Sequence, residues 1–181
     1  WTFDIGGFAG ELPSAELYLR AFALACFSPV VQWHSEPLGG QFSEIIKSND
    51  SLNDRSPWNI AKRRNAPEAI EICAKLIKER EKLLPYIQEQ AELSSRTGRP
   101  MMAALVFDFF EDETAVAIDD EYMFGEKLLV APVILEGAAS RKVWLPQGVW
   151  RDYWNGSTFT GPGFVTIECG LGEIPVWERM A

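Results

Sequence analysis

The chain opens on Trp1-Thr2-Phe3-Asp4-Ile5-Gly6-Gly7-Phe8, and this stretch decides what kind of domain can follow. Apolar residues leading into two glycines predict a buried strand that ends in a tight turn, because glycine tolerates positive φ. α/β barrels place functional side chains at such strand ends, and Asp4 holds that position. A purely structural turn aspartate is the competing interpretation, and this short motif does not decide between the two.

The residues after the glycine turn predict a helix and then a second strand. Ser14 is an expected N-cap, and the helix should end before Ser28-Pro29 because a residue preceding proline avoids the α region. The run 30–34 is rich in β-branched and aromatic residues, so the whole unit has the size of a βαβ motif. His34, the only histidine, would then end its strand beside Asp4.

A structural role is one interpretation of His34, and a binding role is the other. Neutral imidazole both donates and accepts hydrogen bonds, which suits neighbouring sugar hydroxyls. Two polar residues at equivalent strand ends favour the binding role. Trp33 and Glu36 are consistent with a pocket there.

The rest of the chain predicts a long loop, a long helix and then a different architecture. Residues 35–66 are loop-like, and 67–94 form an amphipathic helix with Pro85 inside it. Short β-rich runs follow, separated by turn signals that include Leu145-Pro146-Gln147-Gly148 and Asn155-Gly156, and this spacing is typical of an antiparallel sandwich. These runs are 101–109, 128–133, 142–145, 149–154, 164–168 and 174–178. The predicted fold class is therefore α/β followed by all-β, with regions 1–97 and 98–181.

Composition excludes several classes of function. The net charge is −9 and no basic run is present, which argues against a nucleic-acid partner. No apolar stretch is long enough to span a membrane. The three cysteines lie far apart without ligand spacing, so we expect neither disulfides nor a zinc site, and a cytoplasmic location is favoured. We expect no metal and no other cofactor.

An ordered series of motifs resembles glycoside hydrolase family 31, which includes α-glucosidases, α-xylosidases and sulfoquinovosidases. The series comprises residues 1–8, 16–20, 27–29, His34, 84–87, 98–101, 122–125, 128–133, 144–150 and 154–156. Each motif is weak alone, but together they cover nearly the whole chain in order.

The resemblance implies the last two βα units of a (β/α)8 TIM barrel, followed by the proximal β-sandwich domain. It implies that Asp4 and His34 line the subsite for the cleaved sugar, with Phe8 near the pocket rim and Trp1 close to it. It further implies that the nucleophile and the acid/base come from earlier barrel strands, so none of these residues is assigned a catalytic role. Many members carry Arg two positions before the histidine, whereas this chain has Gln32, which bears on the choice of sugar.

The leading hypothesis is therefore part of a retaining α-glycosidase that hydrolyses terminal α-linked sugars, of the α-glucosidase or α-xylosidase type. Its partners would be an α-linked oligosaccharide or glycoside and the remainder of the parent chain. Two barrel strands without neighbours expose edges, so we expect the 181-residue chain to need that remainder or to self-associate as a homo-oligomer. A non-catalytic carbohydrate-binding or structural β-sandwich module, suggested by the Trp-rich β region, is the alternative.

Overall fold

The computed structural model describes residues 2–35 and 54–180, and its first region is helical. The helices there are α1 (Ala15–Cys26), α2 (Pro57–Arg63) and α3 (Glu68–Thr97). The predicted start of α1 is confirmed, since the Ser14 hydroxyl accepts a hydrogen bond from the Leu17 N–H. The expected strand beginning at residue 1 and the predicted loop 35–66 lie partly outside the described residues.

Helix α2 corrects the prediction of a continuous loop before α3. Ser56 caps it by accepting from the Asn59 N–H, and Pro57 occupies its first turn, where a missing N–H costs nothing. The predicted long helix is present as α3, three residues longer at its end than expected. It stops at Gly98, whose φ of 76° is the left-handed conformation that glycine adopts readily.

The two segments predicted as parallel strands are extended but are not strands in the described structure. They lie side by side, with the Ile5 N–H donating to the Gln32 carbonyl at 3.3 Å and the Thr2 hydroxyl donating to the Val30 carbonyl at 3.2 Å. A parallel ladder needs evenly repeated backbone bonds, and this pair of contacts does not supply them. The two segments therefore pair without regular strand geometry.

The second region is antiparallel throughout the described residues, which confirms the predicted change of architecture. Its strands are β1 (Met102–Ala104), β2 (Tyr122–Phe124), β3 (Leu128–Val130), β4 (Ser140–Asp152), β5 (Thr158–Glu168) and β6 (Val176–Arg179). The order in the sheet is β1-β2-β3-β6-β4-β5. A 3₁₀ turn (Leu105–Phe107) and helix α4 (Glu113–Ala117) connect β1 to β2.

Several predicted strand boundaries in this region are wrong. Strand β4 is continuous where two strands were expected, because the Pro146-Gln147-Gly148 turn signal forms a bulge between Leu145 and Gly148 instead of reversing the chain. The strand expected over 101–109 ends at Ala104, where the 3₁₀ turn begins. The predicted turn at Asn155-Gly156 is confirmed, and it joins β4 to β5.

Strands β2 and β3 separate two apolar cores. Tyr122 and Phe124 face the core formed by the helices, whereas Met123 between them joins the core that contains Leu145 and Trp150 of β4. Strand β4 is not a neighbour of β2 in the sheet, so the bulged β4–β5 hairpin curls back over the far face. This arrangement is consistent with a β-sandwich.

Direct hydrogen bonds join the two regions. The Arg20 guanidinium on α1 donates to the Gly170 and Ala138 carbonyls at 2.8 and 2.9 Å. The buried Tyr122 hydroxyl donates to the Phe27 carbonyl at 3.1 Å. Cys26, Cys73 and Cys169 are all free and buried. Within residues 2–35 and 54–180, each helix is too short or too polar to cross a bilayer.

Candidate functional site

The glycine turn after Asp4 is packed tightly against helix α1. Gly6 and Gly7 have φ values of 82° and 85°, which L side chains rarely adopt. The Gly7 N–H donates to the Asp4 carbonyl at 2.8 Å and closes the turn. A Cβ on Gly6 would lie 3.1 Å from the Tyr18 ring, so space as well as conformation calls for glycine. The turn therefore fixes the backbone on which Asp4 sits.

The Asp4 carboxylate meets the neighbouring extended segment through Gln32. The Gln32 amide nitrogen donates to Asp4 Oδ1 at 2.7 Å. The neutral Gln32 amide orients the Asp4 carboxylate and leaves its negative charge in place. An arginine at position 32 would offset that charge. Having Gln32 where many family members carry Arg therefore changes both the charge around Asp4 and the shape of the site.

Phe8 and His34 meet on the same side of the site. Their ring centroids lie 5.2 Å apart with an interplanar angle of 49°. His34 is exposed and Phe8 is half-buried. The structure therefore shows two separate contacts, Phe8 with His34 and Asp4 with Gln32, and the predicted sugar-binding role of Asp4, Phe8 and His34 stays a prediction. Trp1, the fourth residue predicted to bind sugar, lies outside the described residues, as does Glu36.

Sequence reasoning missed the buried Arg55. Its side chain is 2% exposed, and its guanidinium donates from Nε to the Gly7 carbonyl at 3.0 Å and from Nη2 to the Gly10 carbonyl at 2.9 Å. Burial, followed by the nearby Arg64 charge, lowers the pKa of Arg55 from its usual value. The signal in the sequence was slight, a single arginine directly before the Ser56-Pro57 helix start.

Tyr18 links Arg55 to Trp33. The Tyr18 hydroxyl accepts from the Trp33 indole Nε1 at 2.9 Å and donates to the Arg55 carbonyl at 2.7 Å. Burial raises the pKa of Tyr18, which keeps its hydroxyl protonated and able to donate. The Trp33 ring also packs against Phe22 of α1, with centroids 5.2 Å apart.

Two carboxylates of the acidic stretch 108–113 have structural partners in the β region, whereas Glu111 and Glu113 are exposed. Asp108 forms a two-pronged ion pair with Arg99, at 2.7 and 2.6 Å. Asp112 caps helix α4 through the Thr114 and Ala115 N–H groups, and its other oxygen accepts from the Trp144 indole at 3.0 Å. These contacts give both carboxylates structural partners.

The tryptophans of the β region serve mostly as packing. Trp150 is fully buried, with its indole nitrogen donating to the Pro146 carbonyl at 2.8 Å. Trp154 donates to the Ile174 carbonyl at 2.7 Å and packs on Phe27 and Tyr153. Trp150 therefore has no face free for a sugar, whereas Trp154 is 37% exposed although these contacts hold it in place.

Comparison with known proteins matches both regions to one family. Residues 1–90 match the model of the glycosyl hydrolases family 31 TIM-barrel domain, and residues 98–180 match that of the glycosyl hydrolase family 31 C-terminal domain. Together the two matches leave few residues of the chain uncovered.

Individual relatives agree with the family matches. Isomaltosyltransferase of Sporosarcina globispora is 38% identical over 99% of this chain, which spans 16% of that protein. For 1,3-alpha-isomaltosidase of Kribbella flavida the identity is 36% over 99% of this chain, which spans 24% of that protein.

A solved structure shows the same fold. The cycloalternan-degrading enzyme of Trueperella pyogenes, in complex with cycloalternan, superposes with a TM-score of 0.91 at 38% identity, over all of this chain and 24% of that one. The same enzyme has also been solved with isomaltose. With two domain models of one family matched in order, the chain belongs to glycoside hydrolase family 31.

Proposed function

We propose that this chain forms the sugar-holding edge of the active site in a retaining α-glycosidase. The observation that carries the proposal is the contact of Gln32 with Asp4 and of Phe8 with His34 near the ends of two paired segments, within a family 31 barrel match. Retaining hydrolysis needs two carboxylates about 5–5.5 Å apart across the scissile bond. We assign that pair to barrel strands outside this chain, so the segment alone is expected to be inactive.

Each residue of the edge has a chemical role in the proposal. Asp4 accepts hydrogen bonds from ring hydroxyls, and the Gln32 amide keeps its carboxylate turned toward them. His34 donates or accepts at a neighbouring hydroxyl, and the Phe8 ring covers the apolar face of the sugar. Trp1, which lies outside the described residues, is proposed to contact the sugar as well. Holding the ring in one orientation lowers the entropic part of the barrier to cleavage.

The substrate in the proposal is an α-linked oligosaccharide whose terminal unit is a glucose residue or its isomaltosyl extension. The relatives named for isomaltosyl units share 36–38% identity with this chain over nearly its whole length. An α-xylosidase and an α-glucosidase are 31% and 33% identical to this chain, so α-xylosides and other α-glucosides are the next substrates to test. Hydrolysis and glycosyl transfer share the same covalent intermediate, and access of water to it decides between them.

The test compares the longer parent enzyme with the 181-residue chain on aryl α-glucoside, α-xyloside, α-galactoside and α-sulfoquinovoside, together with an isomaltosyl oligosaccharide. We expect cleavage by the parent only, with the α-anomer as first product by NMR. Cleavage by the 181-residue chain alone would overturn the assignment of Asp4 as a binding residue. Release of the β-anomer would overturn the retaining mechanism.

The proposal includes the remaining organisation of the protein. We propose that the barrel portion meets a proximal β-sandwich near residues 97–98, and that the barrel portion is completed by the rest of the parent chain. Self-association would be the other means of covering the open edges of residues 2–5 and 30–34. Size-exclusion chromatography of the 181-residue chain and of the parent distinguishes these two means.

A second candidate function, a carbohydrate-binding role for the β region, is favoured by one cavity. It has a volume of about 480 Å³ and is lined in part by Phe110, Asp112, Trp144 and Gln147. Phe110 is 70% exposed, so it offers an aromatic surface that packing does not use. Affinity electrophoresis in a soluble α-glucan tests this role, since Phe110→Ala should abolish retardation only if the cavity binds sugar.

A further inference from the structure

We infer that Arg55, Tyr18 and Trp33 form a positioning relay that sets the distance between Phe8 and His34 and thereby the choice of sugar. The inference rests on the proposed function and names residues outside the sugar-contacting set. The relay runs from Arg55, bound to the glycine turn, through the Tyr18 hydroxyl to Trp33, the neighbour of His34.

The first half of the relay controls Phe8. The Arg55 guanidinium donates to the carbonyls of Gly7 and Gly10, which lie on either side of Phe8 in the chain. Glycine-rich backbone is conformationally free, so a fixed position for Phe8 needs an external anchor. A buried guanidinium with two carbonyl acceptors is such an anchor, since its planar fork holds both bonds in one geometry.

The second half controls His34. Successive side chains of an extended segment point to opposite sides, so Gln32 and His34 share one side and Trp33 points to the other. The contacts follow this alternation: Gln32 reaches Asp4 and His34 reaches Phe8, whereas Trp33 binds Tyr18 and packs on Phe22. Anchoring Trp33 to α1 therefore fixes the direction in which His34 points.

Tyr18 joins the halves because one hydroxyl serves both. It accepts from Trp33 and donates to the Arg55 carbonyl, so movement of either partner shifts the other. The Ile5–Gln32 backbone bond joins the segment 30–34 to residues 2–5, and the side-chain bonds of Gln32 and Trp33 add to its positioning. The 5.2 Å spacing of the Phe8 and His34 rings is the result that the relay maintains.

The test is Tyr18→Phe in the longer enzyme, with Tyr122→Phe as its matched control. Both changes remove a buried hydroxyl that donates to a backbone carbonyl, but only the Tyr18 hydroxyl also holds Trp33. The readout is the ratio of kcat/KM for aryl α-glucoside over aryl α-xyloside, which differ by the hydroxymethyl group. Because both rates come from one preparation, the ratio does not depend on the fraction of folded enzyme.

We expect Tyr18→Phe to change that ratio at least fivefold and to raise KM more than it lowers kcat. The control, Tyr122→Phe, should lower the melting temperature and leave the ratio within twofold. Arg55→Lys, which loses the two-pronged bond, should shift the ratio in the same direction. Arg20→Lys is its control, because Arg20 also donates to two carbonyls but lies away from the site.

An unchanged ratio in Tyr18→Phe and Arg55→Lys, with melting losses like those of the controls, would overturn the relay and leave the proposed function standing. Absence of α-glycoside cleavage by the wild-type parent would instead overturn the proposed function. The two failures are thus distinguished by the wild-type enzyme alone.

Discussion

The two regions of the chain hold their backbone in different ways. The β region uses antiparallel ladders, and the β4–β5 pair alone matches ten residue pairs in register on either side of a bulge. The site edge in residues 2–35 is held by side-chain bonds, from Arg55 to the Gly7 and Gly10 carbonyls and from Gln32 to the Asp4 carboxylate, with few backbone bonds between its extended segments. A ladder spreads its stabilisation over many bonds, whereas the edge depends on a few, so single substitutions should affect the two regions differently.

The largest expected effect is on stability, from Trp150→Ala in the β region. Trp150 is fully buried between the sheet's own strands and donates to the Pro146 carbonyl. Removing a buried tryptophan costs about 3–5 kcal/mol in lost burial and cavity formation. Chemical denaturation of the longer enzyme should show that loss, with KM of the remaining folded enzyme unchanged.

Trp150→Phe is the control for this change, since it retains most of the ring volume and should recover more than half of the loss. An altered KM in the folded Trp150→Ala enzyme would contradict the separation of the two regions, because it would show that packing in the sheet reaches the sugar site.

The opposite result is expected for His34→Ala at the site edge. His34 is exposed, so little burial is lost and the melting temperature should stay nearly unchanged. Loss of a hydrogen bond to the sugar and of the contact with Phe8 should lower kcat/KM about a hundredfold, equivalent to about 3 kcal/mol of transition-state stabilisation. Steady-state kinetics on the aryl α-glycoside measure it, and a large melting shift with little kinetic loss would return His34 to a structural role.

A glycine pair sharpens the comparison within the packed part of the molecule. Gly125 and Gly98 have similar φ values of 67° and 76°, but a Cβ on Gly125 would overlap the Tyr86 hydroxyl and lie 2.6 Å from Gln90 Cγ. Nothing lies within 4 Å of a Cβ on Gly98. Gly98→Ala should therefore cost only the backbone strain of about 1 kcal/mol, and Gly125→Ala about 2–3 kcal/mol because overpacking adds to it.

Thermal unfolding of both variants measures the difference. Equal losses would show that the loop around Gly125 relaxes freely, and the dense packing between α3 and the β2–β3 connection would then be less constraining than the contacts indicate.

How much could be predicted from the sequence differs between the regions for a physical reason. Helix α1 and its Ser14 cap follow local rules, as does the Asn155-Gly156 turn, so both were predicted correctly. The Pro146-Gln147-Gly148 signal was misread because a bulge and a turn use the same residue types, and the pairing of β4 with β5 decides between them. Long-range pairing of this kind is not encoded in a local pattern.

The candidate site shows the same limit. Asp4 and His34 were placed together from strand topology, and the structure brings Phe8 and Gln32 to them. Arg55 was missed because its role depends on contacts with the Gly7 and Gly10 carbonyls, which lie 45 residues or more away in the chain. The sequence around a single arginine in a loop does not predict contacts at that distance. Its position directly before the Ser56-Pro57 helix start was the one available signal.

The smallest expected effect is a pH dependence of stability that arises from a buried carboxyl group in the β region. Glu121 is 4% exposed, and its Oε1 accepts from the backbone N–H of Trp144 at 2.8 Å. Its Oε2 has no hydrogen-bond partner among the described residues. Burial, opposed by the Trp144 bond and the Arg141 charge, raises the pKa of Glu121 to about 7. Between the unfolded value of 4.5 and about 7 the folded state therefore binds more protons than the unfolded state.

The free energy of unfolding should accordingly fall as the pH rises from about 5 to about 7 and then level off, by at most about 2 kcal/mol from this group. Glu121→Gln keeps an acceptor for Trp144 and removes the charge, so its stability should be flatter over that window and higher than wild type at pH 8. Glu136→Gln, in an exposed loop, is the control and should follow the wild-type curve. Denaturant unfolding at a series of pH values makes the comparison. A Glu121→Gln curve parallel to wild type would mean that the buried Glu121 carboxylate stays ionised across the window, held by the Arg141 charge.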